Sequence, residues 1–320
     1  MRYLRSALLV LGLCTASAAQ ADYPARPITA IVPFPAGQTT DILARDLVSE
    51  MGKVLGQSII VENRGGAGGI IGISAAKRAA NDGYTILIAS SGPLAINENL
   101  YKDIPYHTLE DFEPVAMVLE NPQFLVTRAD FPANTLPELI EVLKKSPGKY
   151  NYGSGGVGLT NHLTMEMLRL QAGVNIRHVP YRGAQAALSG LIGGDIDLMF
   201  ESGPPIIPFV EDGRLKIFAV GSRNGSSRFP DVKSVAAQGY PDFNATTWMA
   251  VLVPKGTPPA VAQTLNAATN KVLAQPGIQQ RFANVTASVR TATPSETRQF
   301  IGEELALWKD IIAKGGIKAE

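Results

Sequence analysis

The segments PFPAGQTTD (residues 33–41) and YGSGGVGLTN (residues 152–161) decide the fold, because each joins a predicted strand to a predicted helix through a loop of small residues. An extended run precedes each loop, at 28–32 and 149–152, and an amphipathic helical pattern follows it. Small residues let backbone N–H groups approach a ligand closely. The helix N-terminus adds unsatisfied donors and about half a positive charge. The pair therefore predicts a cleft that binds a carboxylate or a similar anion.

The first residues have the pattern of a secretory signal peptide. Two arginines are followed by an apolar stretch at 7–13 and by the small-residue sequence AQA at 19–21, which predicts cleavage after Ala21. The apolar stretch is shorter than the roughly 20 residues that span a bilayer. A retained anchor, with lipid on Cys14, is the alternative.

Charge and cysteine content exclude several classes of function. The chain has 29 basic and 28 acidic residues, and its one cysteine, Cys14, lies inside the predicted signal. The exported protein would therefore be near neutral and without a thiol. This argues against nucleic-acid and anionic-membrane partners. It also excludes disulfides, thiolate metal sites and cysteine nucleophiles.

Strand and helix patterns alternate along the chain, which predicts an α/β protein with a mostly parallel sheet in each half. Leu43, Leu47 and Met51 share one face of the first helix. The predicted strands are 28–32, 58–61, 85–89, 115–118, 124–127, 150–152, 177–179, 196–200 and 217–220. The predicted helices are 41–55, 72–80, 160–171, 184–190, 206–210, 259–273 and 294–314.

Two long apolar runs, 115–127 and 246–253, bracket the second series of strands and helices. We interpret them as two crossings between lobes, which would form a two-strand hinge with a cleft between the strand ends. Residues 22–122 with 248–320 would then form one lobe, and residues 123–247 the other. A single large doubly wound sheet is the alternative.

A dinucleotide site is rejected although Gly153, Gly155 and Gly158 match GxGxxG. That site needs an acidic residue at the end of the next strand, and this strand continues into PYRG at 180–183 instead. An exported protein would also have little access to NAD. We expect no cofactor, and the loop is either an anion site or a tight turn that caps the next helix.

The sequence contains no recognisable catalytic motif. Ser154 has Tyr152 where the GxSxG elbow needs glycine. His107, His162 and His178 are single and scattered, without metal-ligand spacing. We expect neither an enzyme nor a metal site.

Other candidate residues have two interpretations each. Phe34, between two prolines, is expected to be exposed and to suit a ligand with an apolar body. Arg182 is either a carboxylate partner or part of a structural ion pair. His162 either touches the ligand or caps its helix. Asp197 is interpreted as a strand-end hydrogen-bonding residue, with a general base as the alternative, and Trp248 as a core residue first and a cleft residue second.

Several motifs, in order, resemble the solute-binding receptors of tripartite tricarboxylate transporters, also called the Bug family. They cover essentially the whole exported chain. The motifs are YPxRPI at 23–28, the PFxxG loop with its aspartate at 33–41, VENRGGAGG at 61–69, DGY at 82–84, DFEPV at 111–115, VPYRG at 179–183, and Glu304, Trp308, Ile311 and Ile312.

The resemblance implies a two-lobed periplasmic binding protein of type II-like fold that closes on a carboxylate. Backbone amides of both loops and ordered waters would hold the ligand, and an inner-membrane permease would receive it from a monomeric receptor. The expected ligand-binding residues are Phe34, Ala36, Gly37, Gln38, Thr39, Asp41, Ser90, Ser91, Ser154, Gly155, Gly156, Thr160, Asn161, His162, Tyr181, Arg182, Phe200 and Trp248.

One departure from the family pattern is Gln38, which follows Gly37 where the family usually has a second glycine. Its amide adds a donor and an acceptor, so we expect an effect on ligand selectivity. Two other functions remain open at this point. They are a sensor partner that binds the same ligand for a membrane kinase, and an exported serine hydrolase.

Overall fold

The computed structural model of the protein describes residues 23–318; the predicted signal peptide and its cleavage site lie outside the described residues. The strands are β1 (Ile28–Val32), β2 (Ile59–Asn63), β3 (Thr85–Ser90), β4 (Phe112–Arg128), β5 (Asn151–Ser154), β6 (Arg177–Pro180), β7 (Leu198–Ser202), β8 (Leu215–Val220), β9 (Thr246–Pro254) and β10 (Ser288–Val289). The helices are α1 (Thr39–Leu55), α2 (Ile70–Lys77), α3 (Asn97–Leu100), α4 (Thr108–Asp111), α5 (Leu136–Lys145), α6 (Thr160–Ala172), α7 (Ala184–Gly193), α8 (Gly203–Glu211), α9 (Pro259–Leu273), α10 (Pro276–Ala283) and α11 (Pro294–Gly315).

The first half is built around β1, which pairs in parallel with β2 and β3. α1 follows β1 and buries Leu43, Leu47 and Met51 against this sheet, as their spacing predicts. The helix ends at Gly56, whose φ of 68° is the left-handed conformation that a glycine adopts without strain. The carboxyl ends of β1 and β3 consequently lie on the same edge of the sheet.

The two crossing strands are β4 and β9, which pair antiparallel. Residues 112–122 of β4 pair with β9, whereas residues 123–128 pair with β7 and β8. The prediction of separate strands at 115–118 and 124–127 is wrong, whereas the continuous apolar run at 115–127 lies within β4. One strand of 17 residues forms instead, because partners on both sides satisfy its backbone even around Pro122.

The second half repeats the arrangement, with β5 parallel to β6 and β7. The strand order is β2-β1-β3-β9-β4-β7-β5-β6, with β8 and β10 paired to β4. The sequence did not predict α5, which starts where the Thr135 side chain accepts a hydrogen bond from the Glu138 N–H at 3.3 Å. The predicted α/β class with parallel pairs in each half is confirmed.

The C-terminal helices cover the crossing strands. α9 packs on α1 and β4, and α11 packs on both β4 and α6, so α11 contacts both halves. The core divides into three clusters, of which one contains Trp248 and Trp308. Within residues 23–318, the longest apolar helical stretches fall short of what a membrane crossing requires.

Candidate ligand-binding site

A cavity of about 290 Å³ lies where the two loops meet the crossing strands. It is surrounded by the N-termini of α1 and α6, the carboxyl ends of β3 and β7, the middle of β4 and the start of β9. The wall is formed by Thr39, Thr40, Leu43, Ser90, Leu119, Asn121, Gln123, Leu159, Thr160, Asn161, Glu201, Ser202, Thr247, Trp248 and Met249. A depression of about 660 Å³ beside α1 and β2 is larger, but neither loop borders it.

An adjoining cavity of about 220 Å³ shares Ser90, Leu159 and Thr160 with the first. Phe34 borders this second cavity. The prediction that Phe34 is exposed is wrong, because its ring is half-buried and packs against the core under the first loop. An apolar surface is still available beside the site.

The first loop, residues 33–41, is organised by the carboxylate of Asp41. The Gly37 N–H donates to Asp41 Oδ2 at 2.8 Å, and Asn63 Nδ2 donates to Asp41 Oδ1 at 2.8 Å. Arg45 forms an ion pair with the same carboxylate. Burial alone would raise the pKa of Asp41, but the hydrogen bonds from Gly37, Asn63 and Arg45 outweigh it and hold the pKa below its usual value. The group is therefore ionised at neutral pH.

The second loop, residues 153–161, is organised by neutral side chains. The Gly158 N–H donates to His162 Nδ1 at 3.0 Å, and Asn161 Oδ1 accepts from the His162 N–H at 3.0 Å. Gly158 has φ +78°, and a Cβ added there would lie 2.1 Å from Leu100 Cδ2. Glycine is consequently required for the backbone and for the close contact with the first half.

The two loops have the same local geometry. In each, a glycine of positive φ donates its N–H to a side chain four residues later, Gly37 to Asp41 and Gly158 to His162. The residue between glycine and helix is extended in both, and the side chain of this N-cap residue accepts no hydrogen bond from either helix. The first-turn N–H groups of a helix have no acceptor within it. Both helix N-termini therefore present donors to the cavity.

His162 and His178 form one stack, which corrects the view that the histidines are scattered. Their ring centroids lie 3.8 Å apart, and Tyr152 stacks on His178 at 4.9 Å. Ser154 Oγ lies 2.6 Å from His178 Nε2. Burial lowers the pKa of both histidines to about 4, with the neighbouring His178 adding to the effect on His162. Both rings are neutral at pH 7, as the acceptor role of His162 Nδ1 requires.

Trp248 forms part of the cavity wall and is also fully buried, so both of its interpretations apply. Its Nε1–H donates to Glu304 Oε2 at 2.8 Å, and Trp308 donates to the same oxygen at 2.9 Å. Burial raises the pKa of Glu304 to about 7. The α11 carboxyl thus fixes the orientation of the indole that faces the cavity.

The expected site residues separate into three groups. Thr39, Ser90, Thr160, Asn161 and Trp248 line the cavity. Asp41, Ser154 and His162 lie behind the loops and hold them in shape, whereas Gly37, Gly155 and Gly156 form their backbone. The remaining residues are absent from the cavity wall. The exposed ones are Ala36, Gln38 and Arg182, and the fully buried ones are Ser91 and Phe200. Tyr181 packs over α7.

Sequence reasoning missed the polar residues of the crossing strands. Asn121 and Gln123 point to the same side of β4, opposite Thr247 of β9 and Ser202 of β7. The sequence signal for them was the presence of polar residues at alternate positions of a long apolar strand, which places them on one face. Glu201, an acid at the end of an apolar strand, was a second one. Asp197 accepts from the Asn151 N–H at 2.9 Å, as its strand-end interpretation predicts.

Within residues 23–318, His, Asp and Glu side chains form no cluster that could hold a metal ion. The cavity offers backbone donors, hydroxyls, amides and one carboxylate. Such donors and acceptors are of the kind that can hold an organic anion through hydrogen bonds.

The fold and the cleft define the class of periplasmic binding proteins. The model of the tripartite tricarboxylate transporter family receptor, TctC, matches residues 43–317, and the chain belongs to this family. It is 39% identical to protein BugT of Bordetella pertussis over 318 residues, which is 97% of this chain and 98% of that protein.

Two solved structures with bound carboxylates are similar to the chain. MatC from Rhodopseudomonas palustris, with bound malate, is 30% identical with a TM-score of 0.73, over 91% of this chain and 100% of that chain. An R. palustris protein with adipate is 29% identical with a TM-score of 0.78, over 93% and 99%. These neighbours are ligand-binding proteins of the same fold.

Proposed function

We propose that the protein is a periplasmic solute-binding receptor that captures a small carboxylate in the 290 Å³ cavity. It would deliver the ligand to an inner-membrane permease of the tripartite tricarboxylate type. The observation that carries the proposal is the convergence of two helix N-termini without side-chain caps on one cavity. Backbone N–H groups and helix dipoles at such positions bind anions.

The composition of the wall supports a ligand held by hydrogen bonds. Its described residues include neither lysine nor arginine, so N–H donors near Thr39 and Thr160 replace a cationic side chain. Malate and adipate, bound by the two related proteins, carry carboxylates that such donors can take.

The lobes are proposed as residues 22–122 with 248–320, and residues 123–247. The change of β4 partners between Pro122 and Gln123 supports this division. β4 and β9 would act as the hinge, and closure would occur with α11 packed against both lobes. Small-angle scattering should show a smaller radius of gyration at saturating ligand. An unchanged radius would count against closure.

We propose that the protein does not catalyse a reaction. Ser154 and His178 lie within hydrogen-bond distance, but Ser154 is completely buried and the hydroxyl also donates to the Gly156 carbonyl. A serine nucleophile needs an accessible hydroxyl and an oriented base. The sensor role uses the same cavity, and a pull-down with membrane extract would distinguish a kinase from a permease.

Export with cleavage after Ala21, and a monomeric state, complete the proposal. The mass of the protein recovered from a periplasmic fraction tests the cleavage site. Sedimentation with and without ligand tests the monomer.

The decisive experiment is a thermal-shift screen of the exported chain against mono-, di- and tricarboxylates. At about 100 times the dissociation constant, binding should stabilise the protein by about 2.7 kcal/mol. The stabilising compound must be recovered unchanged after incubation with the protein. Conversion of that compound by catalytic amounts of pure protein would falsify the receptor role.

A further inference from the structure

Glu201 is the one ionisable residue among the described residues of the cavity wall. It is the penultimate residue of β7, is 6% exposed, and lies beside the first turn of α6. Its Oε1 accepts from the N–H and the hydroxyl of Ser202, both at 2.8 Å. Its Oε2 has only Asn161 Nδ2 at 3.5 Å, the outer limit of a hydrogen bond. One oxygen of a buried carboxylate is therefore almost without a donor.

The helix next to Glu201 offers few donors, and none of them bonds to Oε2. α8 begins with Gly203, Pro204 and Pro205, and its first turn therefore lacks two N–H groups. The Ser202 N–H before it is already donated to Glu201. This end of the cavity is thus rich in acceptors, whereas α1 and α6 present donors.

Burial raises the pKa of Glu201, although hydrogen bonds from Ser202 and Asn161 oppose the shift. The direction shows that the hydrogen bonds from Ser202 and Asn161 do not fully compensate the ionised form for its burial. A cationic group beside Oε2 would supply that compensation, and a second carboxylate there would add repulsion.

We propose that Glu201 determines ligand specificity by accepting a hydrogen bond from an ammonium group of the ligand. The ligand class is then an amino-carboxylate, with its carboxylate at the N-termini of α1 and α6 and its ammonium at Glu201. The assignment rests on the proposed carboxylate-binding function and specifies which carboxylates bind. A cavity of about 290 Å³ limits the ligand to a small molecule.

The test is calorimetric titration of the exported chain with two matched series. Succinate, malate and aspartate differ only by hydrogen, hydroxyl or ammonium at one carbon, and glutarate, 2-hydroxyglutarate and glutamate repeat the comparison at greater length. Wild type should bind the amino compound of at least one series tenfold or more tightly than the unsubstituted diacid. Glu201→Gln should reduce that preference to threefold or less, mainly by weakening the amino compound.

Glu211→Gln is the matched control, because Glu211 is an exposed residue of α8 paired with Arg228. It should keep the wild-type preference. Equal or tighter binding of the unsubstituted diacids by wild type overturns the inference and leaves the receptor function standing. The absence of binding throughout both series and the wider carboxylate panel overturns the receptor function itself. If Glu201→Gln does not fold, the order of wild-type affinities for the amino compounds and the unsubstituted diacids still tests the inference.

Discussion

The first loop (33–41) and the second loop (153–161) reach the same backbone geometry by different chemistry. In both, a left-handed glycine donates its N–H to the residue four positions later, in front of an uncapped helix. The acceptor is the ionised carboxylate of Asp41 in the first loop and the neutral imidazole of His162 in the second.

The difference shows that the two helix N-termini are electrostatically unequal. Asp41 places a negative charge in the first turn of α1, partly offset by Arg45. His162 adds none to α6. Because a negative side chain in the first turn competes with a bound anion for the helix dipole, we expect α6 to hold the ligand carboxylate more strongly.

The largest expected effect is on the pH dependence of stability, because the histidines and Asp41 lose their contributions in different pH ranges. His162 and His178 have folded pKa values of about 4 against 6.5 in the unfolded chain. Below pH 6.5 the unfolded state binds protons that the folded state does not, so stability falls as the pH falls to 4. His162 contributes up to about 3 kcal/mol to this loss, and His178 contributes less because it is partly exposed and solvent screens its charge. The pKa of Asp41 is lowered, so its contribution is lost only below pH 3.8.

Urea unfolding between pH 4 and 8 measures this difference. His178→Gln should flatten the profile between pH 4 and 6.5, because it removes one titrating ring. Glu304, with a pKa of about 7, makes the folded state more stable as the pH falls, which opposes the effect of the histidines. The histidine contribution is therefore obtained from the difference between the wild-type and variant profiles. A variant profile as steep as that of wild type would contradict the assignment.

A second comparison removes the acceptor from each loop in turn. Asp41→Ala leaves Gly37, Asn63 and Arg45 without their shared partner, and we expect a loss of about 3 kcal/mol at pH 7. The isosteric Asp41→Asn should lose less, because its amide oxygen still accepts from Gly37. Chemical denaturation measures both.

His162→Gln is the corresponding change in the second loop, and we expect about 1 kcal/mol because only neutral hydrogen bonds and stacking are altered. If Asp41→Ala and His162→Gln cost the same, the charge on Asp41 has no special role in ordering its loop.

The proposed inequality of the helix N-termini is tested by His162→Asp, which gives the second loop the acceptor of the first. The new carboxylate still accepts from Gly158 but repels a bound anion. We expect carboxylate affinity to fall about tenfold to thirtyfold, which corresponds to roughly 1.4–2 kcal/mol. Calorimetric titration in low and high salt measures it, with unfolding curves as the folding control. Unchanged affinity would place the ligand carboxylate away from α6.

The smallest expected effect is at Gln38, which occupies the same loop position as Leu159. Its side chain is exposed and lies outside the cavity wall. A role in selectivity remains a prediction, but the cost of a buried unpaired amide does not apply here. Gln38→Gly should change carboxylate affinities by less than about threefold, or ~0.6 kcal/mol. A larger, ligand-dependent change would show that Gln38 reaches the ligand.

The sequence by itself determined the α/β class, the two strand–loop–helix units and the family. These follow from short-range spacing: Leu43, Leu47 and Met51 recur at helical intervals, and each loop glycine precedes a helix start. The resemblance rests on motifs that lie contiguously in the chain. Thr39, Thr160 and Asn161 could be placed at the cavity because helix N-termini are local features.

Only the tertiary structure decided which distant side chains meet. The His162–His178 stack, Glu201 beside Asn161, and the Trp248 indole on Glu304 join residues on different strands and helices. It also made one strand of 112–128, since partners on both sides complete its hydrogen bonds. Local periodicity specifies which face of an element is apolar, but strand order and register fix the neighbours of that face. Neither can be read from spacing alone.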